Sequence, residues 1–402
     1  MIYLDHAATT GVRPEVFAAM KPWLEGSYGN PSSAYDFGFS ARAAVNRARK
    51  QVSALIGASP DEIFFTSGGT ESDNWVLQGC ARIAGSRKGH IITTAIEHHA
   101  ILHTADYLEQ TGFSITRLMP DENGLISPRS LEAAIRPDTI LVSIMLANNE
   151  IGTIQPIRDL AGIAHAHHIL FHTDAVQAFG QIPIDVSELG VDFLSASSHK
   201  LYGPKGCGCL YIRTGFTLPP LLFGGGQESG MRAGTEAVPS IVGFGAAAEL
   251  AAAEMAETSA REQSLRDLLI SRILSEIPFS RLNGSPVSRL PGNANFSFQF
   301  VEGATLLIML DMKGICVSTG SACTASSSES SHVLQAIGLP DDLARSSIRI
   351  TIGRENTEED IQTAADALKE IIANLRSMSE AYLRMVKKHS FSLGGIKQDP
   401  DK

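Results

Sequence analysis

Seven short apolar runs recur between helix-like stretches in the first half of the chain. They fall at residues 63–65, 90–94, 114–118, 139–146, 169–172, 192–197 and 209–213. Several do not alternate; the run 140–146 breaks its apolar character only at Ser143. A strand with one wet face alternates, whereas a strand covered on both faces need not. Such runs separated by helices predict an α/β fold, a mainly parallel seven-stranded sheet with helices on both sides. Ligands in folds of that kind bind at the carboxyl ends of the strands.

Further on the pattern changes. Residues 238 to about 277 read as helix and 294–300 as an alternating strand. After them come a helix at 305–312, strands at 315–317 and 347–352, and a helix at 357–378. Thr357 caps that last helix and three acids follow it, which suits a helix start. This reads as a smaller α+β domain. The expected division is a large domain at 14–257, a small domain made of an extended arm at 1–13 together with 258–388, and a flexible tail at 389–402. Within the large domain, Ser40 is the expected cap of a helix ending at Gly57.

Charge and composition narrow the function. The chain has 402 residues and a net charge of −10, which disfavours nucleic acid and anionic membranes as partners. The most apolar helical stretch, 238–255, is interrupted by Glu249 and Glu254 and is not expected to span a bilayer. The first residues lack the pattern of a secretory signal. Five cysteines, an odd number at low density, argue for a reducing compartment and a cytoplasmic protein.

One stretch stands out chemically: Ser195–Ala196–Ser197–Ser198–His199–Lys200 ends an apolar run and enters a turn rich in Gly and Pro. A lysine desolvated there can lose its proton and form a Schiff base, and the hydroxyls beside it suit a phosphate. Lysine, hydroxyls and turn together point to pyridoxal phosphate (PLP); a surface lysine at a strand end would read the same way. Other strand ends add candidates. Gly68–Gly69–Thr70 turns tightly into a helix, whose first N–H groups suit an anion. Asp174, just past a buried strand, could pair with a pyridine nitrogen or simply cap a helix, and Gln177 follows it. His98 could stack on a flat ring or move protons. Asn149 ends another run, and Arg349 sits on a strand where a guanidinium can grip a carboxylate. Cys323 lies in a stretch of small polar residues where a thiol can be reactive. Cys207 and Cys209 lack a second ligand cluster, so no metal site is expected.

Taken together these stretches resemble the cysteine desulfurases of the NifS/IscS type. These are PLP enzymes of the class-V aminotransferase family with the fold type I (aspartate aminotransferase-like) architecture. The likeness runs from Tyr3–Leu4–Asp5–His6–Ala7–Ala8–Thr9–Thr10 to about Arg354. It is carried by Gly29–Asn30–Pro31–Ser32–Ser33, Thr66–Ser67–Gly68–Gly69–Thr70–Glu71–Ser72–Asp73–Asn74, Glu97–His98 and Asn148–Asn149–Glu150–Ile151–Gly152. Asp174–Ala175–Val176–Gln177, Ser198–His199–Lys200, Arg232–Ala233–Gly234–Thr235 and Gly320–Ser321–Ala322–Cys323–Thr324 complete it.

The resemblance implies that Lys200 anchors PLP, with Asp174 facing the ring nitrogen, Gln177 the ring hydroxyl, and His98 stacked on the ring and shuttling protons. Gly69, Thr70, Ser197 and His199 would hold the phosphate, joined by Thr235 from the second subunit of a homodimer. Asn149 and Arg349 would hold the carboxylate of L-cysteine. Cys323 would take the sulfur as a persulfide, in the long-loop style of group I enzymes, and leave alanine. The sulfur would pass to acceptors such as an iron–sulfur scaffold protein or tRNA thiolation. The resemblance leaves room for Cys323 to touch a nascent iron–sulfur cluster in passing. A selenocysteine lyase or another β-eliminating PLP enzyme is the nearest rival; an ordinary aminotransferase and a non-catalytic sulfur carrier are more distant ones.

Overall fold

The computed structural model describes residues 1–319 and 330–393, with side chains of the final helix described to residue 386. The chain opens on a short strand, β1 (Ile2–Tyr3). The seven apolar runs then become β2 (Ile63–Thr66), β3 (His90–Thr94), β4 (Ser114–Leu118), β5 (Thr139–Ser143), β6 (Leu170–Asp174), β7 (Phe193–Ser197) and β8 (Gly208–Ile212). They form one sheet in the order β2-β8-β7-β6-β5-β3-β4. Strands β4, β3, β5, β6 and β7 pair in parallel, and β8 is antiparallel to both its neighbours. The connection from β7 to β8 is too short for a helical crossover, so the chain doubles back instead. It steps outward from β3 to the edge strand β4, then returns to the other side of β3 as β5. That reversal is a topological switch point, where the crevice at the carboxyl ends opens.

Beyond the sheet lie β9 (Ser280–Asn283), β10 (Asn293–Phe298), β11 (Ile315–Cys316) and β12 (Ser347–Thr351). Strands β12, β10 and β9 make an antiparallel sheet, and β11 pairs in parallel with β1. The pattern of residues 280–283 offers only Leu282 as an apolar side chain, and β9 escapes a reading by periodicity.

The two sheets belong to separate cores joined by one unbroken helix, Val238–Glu276. Its first half places Ile241, Phe244 and Ala248 against Val45 and Val52 in the core of the large sheet. Its second half places Leu265, Leu269 and Ile273 with Phe296, Ile348, Ile350 and Leu368 in the second core, which also takes in Leu4 from the N-terminal arm. The division expected at 257/258 therefore falls inside a continuous helix. By length and composition this helix is long and apolar enough to cross a membrane. Its apolar side chains instead serve the two cores.

Two local expectations change and one holds. The helix expected from Ser40 begins at Asp36 and ends at Ala54, because the extended backbone of Tyr35 breaks the chain before an acid that suits the first turn. Ser40 is thus inside the helix, and Gly57, with φ +67°, turns the chain after its end. The tail expected from 389 begins within a helix, Glu380–Leu393; residues 394–402 lie outside the described residues. Thr357 does cap the helix Glu358–Met378, accepting from Asp360 N while the Asp360 carboxylate accepts from Thr357 N.

Candidate active site

The strand ends on one edge of the large sheet converge on a cleft of about 470 Å³. Asp174 is the last residue of β6, and Ser195 on β7 is its partner in register. Strand β7 ends at Ser197, and the tight turn Ser198–Lys200 swings Lys200 into the cleft. Strand β3 leads to Glu97 and His98, β5 to Asn149, and β2 through Gly68 into the helix Gly69–Ala84. Of the expected site residues, Gly69, Thr70, His98, Asn149, Asp174, Gln177, Ser197, His199, Lys200 and Arg349 all line this one cavity. Thr235 does not; it is exposed, away from the cleft of its own chain. Cys323 lies outside the described residues.

The N-terminal arm closes one wall. Lys200 Nζ donates to the carbonyl oxygens of Ala7 at 2.5 Å and Ala8 at 2.8 Å. Gln177 Nε2 donates to the same Ala7 oxygen at 3.0 Å. Thr351 Oγ1 accepts from Ala7 N, and Thr9 Oγ1 meets His199 Nδ1 at 3.1 Å. The arm was legible as an extended segment, but carbonyl oxygens carry no sequence signature, and its part in the site was not.

At the other end the residues suit an anion. Gly69 must lack a side chain, because a Cβ there would meet Val176 Cγ2 at 2.5 Å. The helix begins at Gly69, so its first N–H groups have no intrahelical acceptor and point their positive end outward. Thr70 and Ser197 add hydroxyls. Burial, with Lys200 and Lys205 nearby, pushes His199 down to about 4, so it stays neutral at pH 7.

A carboxylate would find Arg349. This side chain is only 3% exposed. Its Nη2 donates to Asp5 at 2.8 Å and its Nη1 to the Asn149 carbonyl at 3.0 Å, while Nε is buried with no partner. A buried guanidinium with an unmet donor is costly unless something fills it.

The cleft floor carries more buried carboxyl groups than the sequence reading assigned. Asp174 accepts from Val176 N at 2.8 Å; burial pushes it up to about 6, against the pull of Lys200. Burial likewise pushes Glu97 up to about 8 and Glu150 to about 7, and raises Asp73 well above the usual range. Glu97 Oε1 accepts from Thr94 Oγ1 and Met145 N, but its Oε2 and Asp73 Oδ1 have no hydrogen-bond partner, the latter lying 3.7 Å from His172 Nε2. The signal for Glu97 was there, an acid three residues past a fully buried strand. A surplus of buried acids asks for a cation between them, and a protonated pyridine beside Asp174 supplies one. The donors at the anion end, the bare backbone at Gly69 and the acid at Asp174 together fit PLP.

His98 lines the cleft with its ring close to that of His99, which in turn meets the rings of His103 and His332. Its Nδ1 accepts from Ala100 N at 3.1 Å. Burial lowers its proton affinity, and Lys200, His332 and His103 lower it further. Cys207 and Cys209 are buried on and beside β8, and burial pushes both thiols far up, away from reactivity.

The aminotransferase class-V family matches residues 2–363. A protein called cysteine desulfurase IscS from Methanosarcina thermophila is 52% identical over 378 residues, which is 94% of this chain and 93% of that protein. Among solved structures, a NifS-like protein superposes with TM-score 0.87 at 40% identity, over 92% of this chain and 99% of its own. A structure described as SspA in complex with cysteine superposes with TM-score 0.79 at 40% identity, over 88% of this chain and 99% of its own.

Proposed function

The chain belongs to the aminotransferase class-V family and acts as a PLP-dependent cysteine desulfurase, and from that premise we propose how its own residues divide the work. PLP, when bound, supplies an electron sink for charge developed at the substrate α-carbon. Asp174 keeps the ring nitrogen protonated, and Gly69, Thr70, Ser197 and His199 hold the phosphate. Lys200 anchors the cofactor, and once freed it holds and moves the α-proton at Nζ; the Ala7 and Ala8 carbonyl oxygens aim that atom. Arg349, braced by Asp5, and Asn149 hold the substrate carboxylate.

Cys323, placed by its sequence motif alone, carries the sulfur step. Its thiolate attacks the cysteine sulfur; the S–S bond forms as the Cβ–S bond breaks, the bonding pair stays on Cβ, and Cβ takes up a proton, the one lost by the Cys323 thiol in the overall balance, so that the product leaves as alanine. The persulfide then passes to an acceptor protein such as an iron–sulfur scaffold. Thr235, exposed and outside its own cleft, serves the phosphate of a second copy in a homodimer. The reaction belongs in a reducing, cytoplasmic setting, where the thiols stay free.

The convergence of Lys200, Asp174 and Arg349 on one cavity is the observation that supports this reading most strongly. Incubating the PLP-loaded protein with L-cysteine should give alanine and a mass increase of one sulfur on the peptide carrying Cys323. Alanine formation that continues at the normal rate in Cys323→Ala would overturn the sulfur step.

A further inference from the structure

The strand ends beneath the cleft carry a set of polar groups that the proposed reaction does not use. Ser143 ends β5, and His172 on β6 is its partner in register. Ser143 Oγ meets His172 Nδ1 at 2.8 Å, and His172 Nε2 meets Ser195 Oγ of β7 at 3.0 Å. All three side chains are fully buried. They make a polar chain across three adjacent strands, and the chain ends at Asp73. That residue comes from the helix Gly69–Ala84, is 1% exposed and lines the cleft. Its Oδ1 lies 3.7 Å from His172 Nε2 without a hydrogen-bond partner, and the Ser195 hydroxyl sits next to its carboxyl.

The same chain reaches Asp174. His172 and Asp174 stand two residues apart on one face of β6. Ser195 is the register partner of Asp174, and its carbonyl accepts from Ala175 N at 3.0 Å. Two buried carboxylates close together are costly unless each has a cation. The basic neighbour of Asp73 is His172, and burial lowers that imidazole to about 3, so it brings no charge at neutral pH. A bound pyridinium brings one, enough for Asp174. Burial and the nearby Asp174 raise Asp73 well above the usual range, against the pull of the Ser195 hydroxyl.

We propose that Asp73 is a positioning residue for Asp174: it stands on the cleft floor as a neutral acid, closes the Ser195–His172–Ser143 chain, and leaves Asp174 to meet the ring nitrogen as a carboxylate. This rests on the PLP-dependent reading of the cleft. A buried polar chain with every member satisfied is rigid, and one with a member removed leaves an orphan that loosens its neighbours. Asp73 thus acts through Ser195 and the end of β6, without touching the substrate.

The test compares Asp73→Asn with Asp73→Leu. Asn has the shape of the neutral acid and keeps both a donor and an acceptor; Leu keeps neither. In Asp73→Asn the dissociation constant for PLP should stay within about twofold of the parent chain and the absorbance maximum of the bound cofactor should not move, whereas Asp73→Leu should bind PLP about tenfold more weakly. Equal weakening in both variants would show that Asp73 works as a charge, and PLP binding by Asp73→Leu at the parent's strength would remove the positioning role; either result overturns the proposal. Infrared difference spectra of parent and Asp73→Asn at pH 7 need no folded Leu variant. They should show a protonated-carboxyl stretch that the Asn protein lacks, with and without PLP. A carboxylate stretch in its place overturns the proposal. A parent chain that binds no PLP would overturn the reading of the cleft and the positioning role with it, while the infrared band still reports the neutral acid separately.

Discussion

On one side of the cleft Asp174, His98 and Lys200 stand in the last residues of β6, β3 and β7 or in the few that follow. On the other side Arg349 is held by Asp5, 344 positions away, and the Ala7 oxygen reaches Lys200 across 193. The first side is set by where buried strands end, the second by two ends of the chain meeting. Strands covered on both faces cannot slip in register without exposing a face, so the first side is fixed by the main core. The second depends on the few residues after β1 that meet β12, through polar contacts and Leu4 in the second core, and its geometry can be loosened without touching the large sheet.

The largest effect should come from the strand-end side. Lys200→Ala removes both the covalent anchor and the proton carrier, and alanine production should fall by roughly 10³-fold or more. Absorbance of the covalently held cofactor should vanish with it. Retention of that absorbance in the variant would show that the anchor has been misassigned. On the chain-end side, Asp5→Ala leaves the Arg349 charge in place but removes its brace. KM for cysteine should rise by about tenfold, with kcat within about twofold, since binding of the carboxylate is shared by ground and transition states. A fall in kcat with unchanged KM would mean that the two sides are not separable in this way.

The same contrast marks what could be read from the sequence. Every strand-end candidate that the structure describes lines the cleft, because an apolar run and its first polar successor are neighbours in the chain. All seven strands were legible for the same reason. Arg349 was legible as a strand arginine, but not its bond to Asp5, nor the carbonyl oxygens of Ala7 and Ala8, because a backbone acceptor looks alike in every residue. The buried acids Asp73 and Glu150 were hidden differently: each sits in a polar motif, and only the fold shows that the motif is covered. The helix that runs through the division at 257/258 was legible, but not its service of two cores, since the 3.6-residue repeat continues while the core it faces changes.

The buried acids give a smaller effect, with a sign. Asp174, Glu150 and Glu97 bind protons more tightly folded than unfolded, with values near 6, 7 and 8 against ordinary ones of 3.8 and 4.5. For these three carboxyls the native state therefore holds more protons between about pH 4 and 8, and their contribution to stability falls as pH rises through that window. Buried histidines contribute in the opposite sense, His199 lowered to about 4 and His172 to about 3. The carboxyl contribution is therefore read as a difference: without PLP, Glu150→Gln should gain thermal midpoint relative to the parent chain as pH rises from 5 to 8, because it removes a proton that the native state would have to release. Adding PLP should shrink the part that comes from Asp174, because a pyridinium beside it favours its charged form. A difference between the two chains that stays constant or runs the other way would mean that Glu150 is ionised and paired in the native state.

The smallest effect tests whether the chain-end side depends on its own core or only on its polar contacts. The helix Glu358–Met378 covers that core, placing Ile361 and Leu368 with Ile348 and Ile350, the neighbours of Arg349 on β12. Thr357 begins it with a reciprocal cap, Oγ1 accepting from Asp360 N at 3.2 Å while the Asp360 carboxylate accepts from Thr357 N at 2.9 Å. Thr357→Ala should cost about 1 kcal/mol, read as an earlier denaturation midpoint, and Thr357→Ser should recover most of it because the hydroxyl is what caps. The KM for cysteine should not move, since Arg349 is braced by Asp5 and Asn149 rather than by this helix. If KM rose in step with the lost stability, Arg349 would be drawing its position from the packing of β12 as well. The two sides of the cleft would then differ in the length of chain that joins them but not in how firmly they are held.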